Sequence, residues 1–396
     1  MSEKIANKTT KNPVKKILNK SDFDELLTVL KDMQYELYGP QLKDDAIVYD
    51  LLSSQEQLPQ NISDDQRPGQ YSVSNTQTGR WFAWANAVQG IKPLVFVPVE
   101  KLWSATHDTE IGLSFNPVDV SEKPRAIIGV RNCDLAGLRL QDQHFLEQEY
   151  VDPYYQSRRQ NLFLVAVNCT HPAATCFCHR TGDGPIANNG YDLVFDELED
   201  VFVVSAGSDK GQDVIDLLPV IDSREHHLTQ VSLQRQQVNK SQMSSIKPMT
   251  DIDIQKKLNF NFETDAWDDI AKRCLACGNC TSVCPTCFCY SERDVPATGE
   301  DKLDLSISTY IREWDSCFNQ SHSYIHGIVI RPETKFRYRQ WLSHKFSTWF
   351  DQYGRSGCVG CGRCVTWCPV GIDVIEVIGT VCEKRECSEE KEVNDD

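Results

Sequence analysis

The stretch CLACGNCTSVCP at residues 274–285 decides the reading of this chain, and a second copy, CVGCGRCVTWCP, occupies residues 358–369. Each has the spacing C-x2-C-x2-C-x3-C-P: Cys274, Cys277, Cys280 and Cys284 before Pro285, then Cys358, Cys361, Cys364 and Cys368 before Pro369. Three thiolates at that spacing wrap one iron–sulfur cube, and the fourth is carried onward to ligate a neighbouring cluster. The pair therefore predicts two [4Fe-4S] clusters with crossed ligation. Cluster one uses Cys274, Cys277, Cys280 and Cys368; cluster two uses Cys358, Cys361, Cys364 and Cys284. Zinc also takes four thiolates, but zinc ribbons usually hold two C-x2-C knuckles separated by a longer loop. Gly278, Gly360 and Gly362 suit a loop that brings its backbone close to sulfur. Between Cys284 and Cys358 lie 73 residues, some with helical patterning, which suggests a helical ferredoxin-type domain carrying an insertion.

Upstream lies a different group: Cys133 in RNCDLAGLR, Cys169 in VAVNCTHP, and Cys176 and Cys178 in TCFC. Cys133 and Cys169 each follow an apolar, strand-like run, Ala126 to Val130 and Leu162 to Val167, so both are expected at the same end of a sheet. The four thiols can then converge on one metal centre, a third [4Fe-4S] cluster ahead of zinc, with buried inert cysteines as the bland alternative. Five of the 17 cysteines remain. Cys287 and Cys289, in another TCFC, and Cys317 in WDSCF offer only three thiolates to a further centre and are read instead as packing around cluster one, and Cys382 and Cys387 as tail thiols without a function.

An odd number of cysteines in tight groups is not a disulfide framework and points to metal ligation in a reducing compartment. The N-terminus has no apolar run suited to export, mean hydropathy is negative, and no window approaches the roughly 20 apolar residues of a membrane span. A cytoplasmic location without a membrane partner is expected. The formal net charge of −16 argues against a nucleic-acid partner.

Along the chain, Asp22 to Met33 reads as a helix with Ser21 as N-cap, and Pro93 to Pro98 and Ala126 to Val130 read as strands. Strand signals recur at Leu162 to Val167 and Leu193 to Ser205, alternating with helices near Leu135 to Glu149 and Val214 to Val220. Gln, Ser and Lys then dominate, as in a linker. Acidic Asp265, Asp268 and Asp269 open the short helix that delivers Cys274. The expected class is α+β: an N-terminal mixed α/β domain followed by a mainly helical two-cluster ferredoxin-type domain. The expected division is a flexible N-terminus over 1–20, a mixed domain over 21–225, a linker over 226–250, the dicluster domain over 251–380 and an acidic tail over 381–396.

A basic segment, Arg331, Lys335, Arg337, Arg339, His344 and Lys345, lies between the motifs and reads as a solvated helix face or as compensation for cluster charge. Asp152, Arg158 and Arg159 read as structural ion pairs. No dinucleotide fingerprint, phosphate loop, catalytic triad or zinc-protease signature is present, so no catalytic residue is assigned. Three classes stay open on the residues alone: an electron-transfer subunit, an enzyme with its own substrate at the N-terminal cluster, and a zinc scaffold.

The blocks RNCDLAGL, NCTHPAATCFC, CLACGNCTSVCPTCFC, WDSCF, RYRQWLSHK and GCVGCGRCVTWCPVGID, spread over residues 126 to 376, occur in this order. Together they resemble the beta subunit of cytoplasmic NADP-linked nickel–iron hydrogenases, the sulfhydrogenases, and are similar to the electron-transfer subunit of anaerobic sulfite reductase. The resemblance implies a non-catalytic electron-transfer subunit. Its clusters would pass electrons between the hydrogenase small and large subunits on one side and a flavin-bearing, NAD(P)H-reacting subunit on the other. In the alternative, sulfite reductase subunits take the place of the hydrogenase ones.

Overall fold

The computed structural model describes residues 14–108, 110, 112–120, 122–243, 251–296 and 307–383. In chain order its strands are β1 (Lys16–Asn19), β2 (Glu36–Lys43), β3 (Ala46–Leu51), β4 (Ile62–Arg67), β5 (Gln70–Asn75), β6 (Val99–Asp108), β7 (Gly112–Pro117), β8 (Arg125–Val130), β9 (Leu162–Val167), β10 (Leu193–Glu197), β11 (Val201–Ala206), β12 (Ile221–Asp222), β13 (Tyr290–Pro296), β14 (Ile307–Trp314), β15 (Tyr324–Ile325) and β16 (Ile328–Val329). Eight of them form one sheet, in the order β12-β1-β11-β10-β9-β8-β2-β3. Its centre, β10-β9-β8-β2, is parallel, and both ends are antiparallel. This α+β arrangement matches the class expected from sequence.

The apolar runs at 126–130 and 162–167 are continuous rather than alternating because both faces of these strands are covered. Helix Phe23–Asp32 packs Phe23, Leu26, Leu27 and Leu30 against one face, together with Phe163, Val165 and Phe195. Helix Asn132–Phe145 covers the other face with Leu135, Leu138 and Phe145, against Ile127, Leu164 and Tyr155. Neighbouring parallel strands β8 and β9 pair Ile127 with Leu164, so the chain leaves both at the same end. Cys133 and Cys169 lie just beyond those ends.

Three local expectations differ. Helix Phe23–Asp32 is preceded by Asp22 rather than Ser21, and Asp22 makes no side-chain cap hydrogen bond. Residues 93–98 are not a strand: Lys92–Val95 is one helical turn, because Pro93 is pre-set for a first turn and has no N–H to give a ladder. The Gln-rich stretch expected as a linker is a 19-residue helix, Glu225–Met243. It buries Val231, Val238 and Gln242, and pairs Arg235 with Asp196 at 2.6 Å. So few apolar anchors, seven residues apart, leave almost no helical periodicity to read.

The segment between the two cysteine motifs is not helical throughout. Strands β13 and β14 form a hairpin, and β14 pairs with β6 in a second sheet of order β13-β14-β6-β7. Trp103 stacks on Tyr310 across it at 4.8 Å. Arg312 of β14 reaches Glu100 of β6 at 2.5 Å and also engages Asp152, while Glu100 takes Arg158 as well. Arg159 pairs with Asp142 at 3.0 Å. Of the ion pairs expected around Asp152, Arg158 and Arg159, that of Asp152 with Arg312 fastens the insertion to the N-terminal part of the chain, while those of Arg158 and Arg159 lie within that part.

Around the motifs, a mainly helical core gathers Trp267, Ile270, Phe318, Tyr338, Trp341, Leu342, Val377 and Val381. Helix Ala266–Arg273 ends at Cys274, with Asp268 and Asp269 in its first turn. Helix Thr334–Ser343 runs through a wider π turn, His344–Thr348, into Trp349–Tyr353. Cys382 is a packed thiol in this core, and Cys387 lies outside the described residues.

Candidate metal centres

The two ferredoxin-type loops are built alike. In each, a glycine in the left-handed region starts a short helical turn: Gly278 at φ 78° before Asn279–Ser282, and Gly362 at φ 76° before Arg363–Thr366. The N–H groups of Ala276, Gly360 and Ile372 each approach the Sγ of Cys274, Cys358 and Cys368, respectively, at 3.4 Å. Donors aimed at sulfur favour the thiolate that ligation requires.

The neighbours of Cys274, Cys358 and Cys361 suit a crossed arrangement, while Cys280 and Cys364 lie between the two sets. Cys274 lies within electrostatic reach of Cys368 and Cys277, and a pocket lined by Cys274, Cys277, Cys280, Cys364 and Cys368 opens between the loops. Cys284 instead lies within electrostatic reach of Cys358, Cys361 and Cys364. Burial pushes Cys280 and Cys364 well above the ordinary thiol range. Cys284 moves the other way, lowered by the hydrogen bond with Cys287 and then by Lys345. Binding iron at raised thiols releases protons, so loading of these sets is favoured by higher pH.

The upstream cysteines also gather. Cys176 faces Cys178 and Cys169, and Cys133 faces Cys178. Burial raises all four thiols, Cys178 to about 12. The loop carrying Thr175 to Cys178 lies directly on the second ferredoxin-type loop, where Phe177 N–H donates to the Gly360 carbonyl at 2.8 Å. A Cβ at Gly360 would stand 2.6 Å from Cys178 Cα, and one at Gly362 would stand 2.4 Å from the Thr175 carbonyl oxygen. Cys133, Cys178 and Cys361 share one small buried cluster with Ala136, Leu140 and Val359.

Several residues around these thiols had no motif to announce them. Asp134 and Arg363 form a fully buried ion pair at 2.9 Å. Arg131 stacks on Trp84 and donates to the carbonyls of Phe82, Trp84, Val167 and Asn168, tying together the loops that follow β8 and β9. Gln242, inside the unexpected helix, bonds Cys178 Sγ at 3.4 Å and accepts from His179 N–H at 3.0 Å.

The basic segment divides between its two readings. Lys335 pairs with Asp268 and Arg339 with Glu263 at the surface, whereas Lys345 is buried and donates to Thr286 Oγ1 at 2.7 Å. Burial works to lower Lys345, but the thiols of Cys284, Cys287 and Cys358 outweigh it and hold the ammonium above its ordinary range. Its position on the π turn turns it inward, and the only legible hint was its place in the RYRQWLSHK block.

Among the described residues, no three Cys, His, Asp or Glu side chains close around a single-ion position. No described helix is long and apolar enough to cross a membrane. Paired C-x2-C-x2-C-x3-C-P loops on a helical core define an iron–sulfur dicluster protein, and residues 273–372 match the family model of the 4Fe-4S dicluster domain. The chain is 33% identical over 270 residues to sulfhydrogenase 2 subunit beta of Pyrococcus furiosus, covering 65% of this chain and 74% of that relative. It belongs to the sulfhydrogenase beta-subunit family, and it is an iron–sulfur electron-transfer protein. No solved structure matches it.

Proposed function

We propose that the chain relays electrons within a nickel–iron hydrogenase complex, between the hydrogenase small and large subunits on one side and a flavin-bearing, NAD(P)H-reacting subunit on the other. Three [4Fe-4S] clusters carry them: one held by Cys274, Cys277, Cys280 and Cys368, one by Cys358, Cys361, Cys364 and Cys284, and one by Cys133, Cys169, Cys176 and Cys178. On this reading residues 21–225 carry the third site and 251–380 the other two, and the shared β6–β14 sheet holds them in register. Each cluster, when bound, accepts and gives up one electron at low potential, typically around −400 mV for ferredoxins.

The observation that carries the proposal is contiguity. Cys178 and Cys361 share one buried cluster, and Cys364 lies within electrostatic reach of Cys280, so each thiol set has a neighbour in the next. The name of the Pyrococcus relative favours hydrogenase partners over those of an anaerobic sulfite reductase.

The test uses the full chain, reconstituted anaerobically. Cys169→Ser should lower iron by about four per chain relative to the parent protein, four being the content of one cube. NADPH should bleach the clusters only when the flavin-bearing subunit is added. Unchanged iron would remove the third site, and bleaching by NADPH alone would overturn the relay.

A further inference from the structure

The sequence Thr-Cys-Phe-Cys occurs twice, at 175–178 and 286–289, and the two loops flank the second ferredoxin-type loop. The first lies on Gly360 and Gly362, and the second is tied to it by Thr286 Oγ1 donating to the Gly357 carbonyl at 2.7 Å. The first carries two thiols of the proposed third cluster site. We propose that the second is also a ligand loop: Cys287, Cys289, Cys317 and His322 form a site for a fourth iron–sulfur cluster.

Four observations bring these residues together. The Asp315 N–H donates to the Cys289 carbonyl at 3.0 Å, just where β13 begins to pair with β14, so Cys289 is fixed opposite the WDSCF turn. Cys317 comes two residues later and faces Cys289. Cys287, two residues before Cys289 in the same loop, interacts most strongly with Cys284 and lies within electrostatic reach of Cys289. His322 lies within electrostatic reach of Cys289, while its Nδ1 is held by Asp315 at 3.0 Å. A carboxylate that holds an imidazole through one nitrogen leaves the other for a metal, the usual disposition of a metal-ligating histidine. Three thiolates with one imidazole form a donor set suited to iron.

Open space and a buried positive charge lie beside Cys287 and Cys289, in a cleft that Asp315, Ser316 and Phe318 line but Cys317 and His322 do not. A cleft of about 770 Å³ opens beside Cys287 and Cys289, between them and the first ferredoxin-type loop at Cys277 and Gly278. Lys92 lines it, buried, with its ammonium 3.8 Å from the Trp314 ring centre and within electrostatic reach of Cys287 and Cys289. A buried cation beside several thiols stabilises the net negative charge of a thiolate-ligated cluster. These thiols do not close to single-ion distance, and neither do those of the ferredoxin motifs. A cube, which holds its ligands farther apart than one ion does, is therefore the form assigned.

The site goes beyond the three-cluster relay, and its test separates the two. The full chain is reconstituted anaerobically with ferrous iron and sulfide, and iron and acid-labile sulfide are measured in the parent and in Cys289→Ser, Cys317→Ser and Cys176→Ser variants. The parent should hold about sixteen irons, and each variant should lose about four. Loss in Cys176→Ser without loss in Cys289→Ser and Cys317→Ser overturns the fourth site and leaves the relay intact; the reverse pattern removes the third. Because a serine near Cys284 can disturb the adjoining cluster, His322→Gln supplies a second readout. Pulsed EPR of the reduced parent should show imidazole nitrogen coupling that disappears in His322→Gln, and a parent spectrum without that coupling removes His322 as a ligand.

Discussion

The Arg363 guanidinium donates to the Asp134 carboxylate at 2.9 Å across 229 residues of sequence, with both side chains fully buried. Asp134 follows Cys133, and Arg363 stands between Cys361 and Cys364. Arg363 also donates to the Ala87 carbonyl at 2.6 Å. This pair therefore clamps the upstream cysteine site onto the second ferredoxin-type loop.

Removing one member leaves the other buried and unpaired, which costs about 3–5 kcal/mol. Asp134→Ala should lower the thermal midpoint by several degrees. Replacing both residues together, as Asp134→Leu with Arg363→Met, should recover much of that loss. A single variant as stable as the parent, by thermal melting under anaerobic conditions, would show that the clamp contributes nothing.

Gly360 tests the contact between the same two loops by shape. Its counterpart in the first motif is Ala276, which adopts the left-handed region at φ 53°, so a Cβ is tolerated by that backbone. At Gly360 the obstacle is the Cys178 backbone, 2.6 Å from a Cβ. Gly360→Ala should therefore displace the Thr175–Cys178 loop and lose about four irons. The equivalent change Ala276→Gly should lose none. Iron analysis decides it, and full loading of Gly360→Ala would refute the packing argument.

Lys345 places a buried positive charge beside Cys284 and Cys358. A cation stabilises the more negative, reduced cluster, so Lys345→Met should make the potential of the cluster at Cys358 more negative. A shift on the order of 50–150 mV follows from an interaction of about 1–4 kcal/mol between unit charges a few ångströms apart. EPR-monitored redox titration measures it, and a positive or absent shift would contradict the assignment.

Crossed ligation makes the fourth cysteine of each motif belong to the other cluster. Cys284→Ser should give the EPR spectrum of Cys361→Ser, and Cys368→Ser that of Cys277→Ser. If Cys284→Ser reproduces Cys277→Ser instead, each motif holds its own cluster. Cys284 lies within electrostatic reach of Cys358, Cys361 and Cys364 but of only Cys280 in its own motif, which favours the crossed outcome.

The sequence by itself determined what local chemistry can determine. Ligand spacing in the two C-x2-C-x2-C-x3-C-P loops sets their shape within twelve residues, and the left-handed glycines at 278, 360 and 362 are consequences of that shape. The apolar runs of β8 and β9 were equally legible, because burial on both faces writes itself as an unbroken hydrophobic stretch. That these strands are parallel neighbours, delivering Cys133 and Cys169 to one place, depended on pairing that no local pattern carries. The helix at Glu225–Met243 was invisible for the same reason: two valines and one glutamine anchor it, and their value lies in what they meet. Only the tertiary structure decided that Lys345 turns inward and Lys335 outward, that β14 clasps β6, and that Asp134 finds Arg363. Each of these joins groups tens to hundreds of residues apart, and a charged side chain reads the same in sequence whether its partner is water or a buried opposite charge.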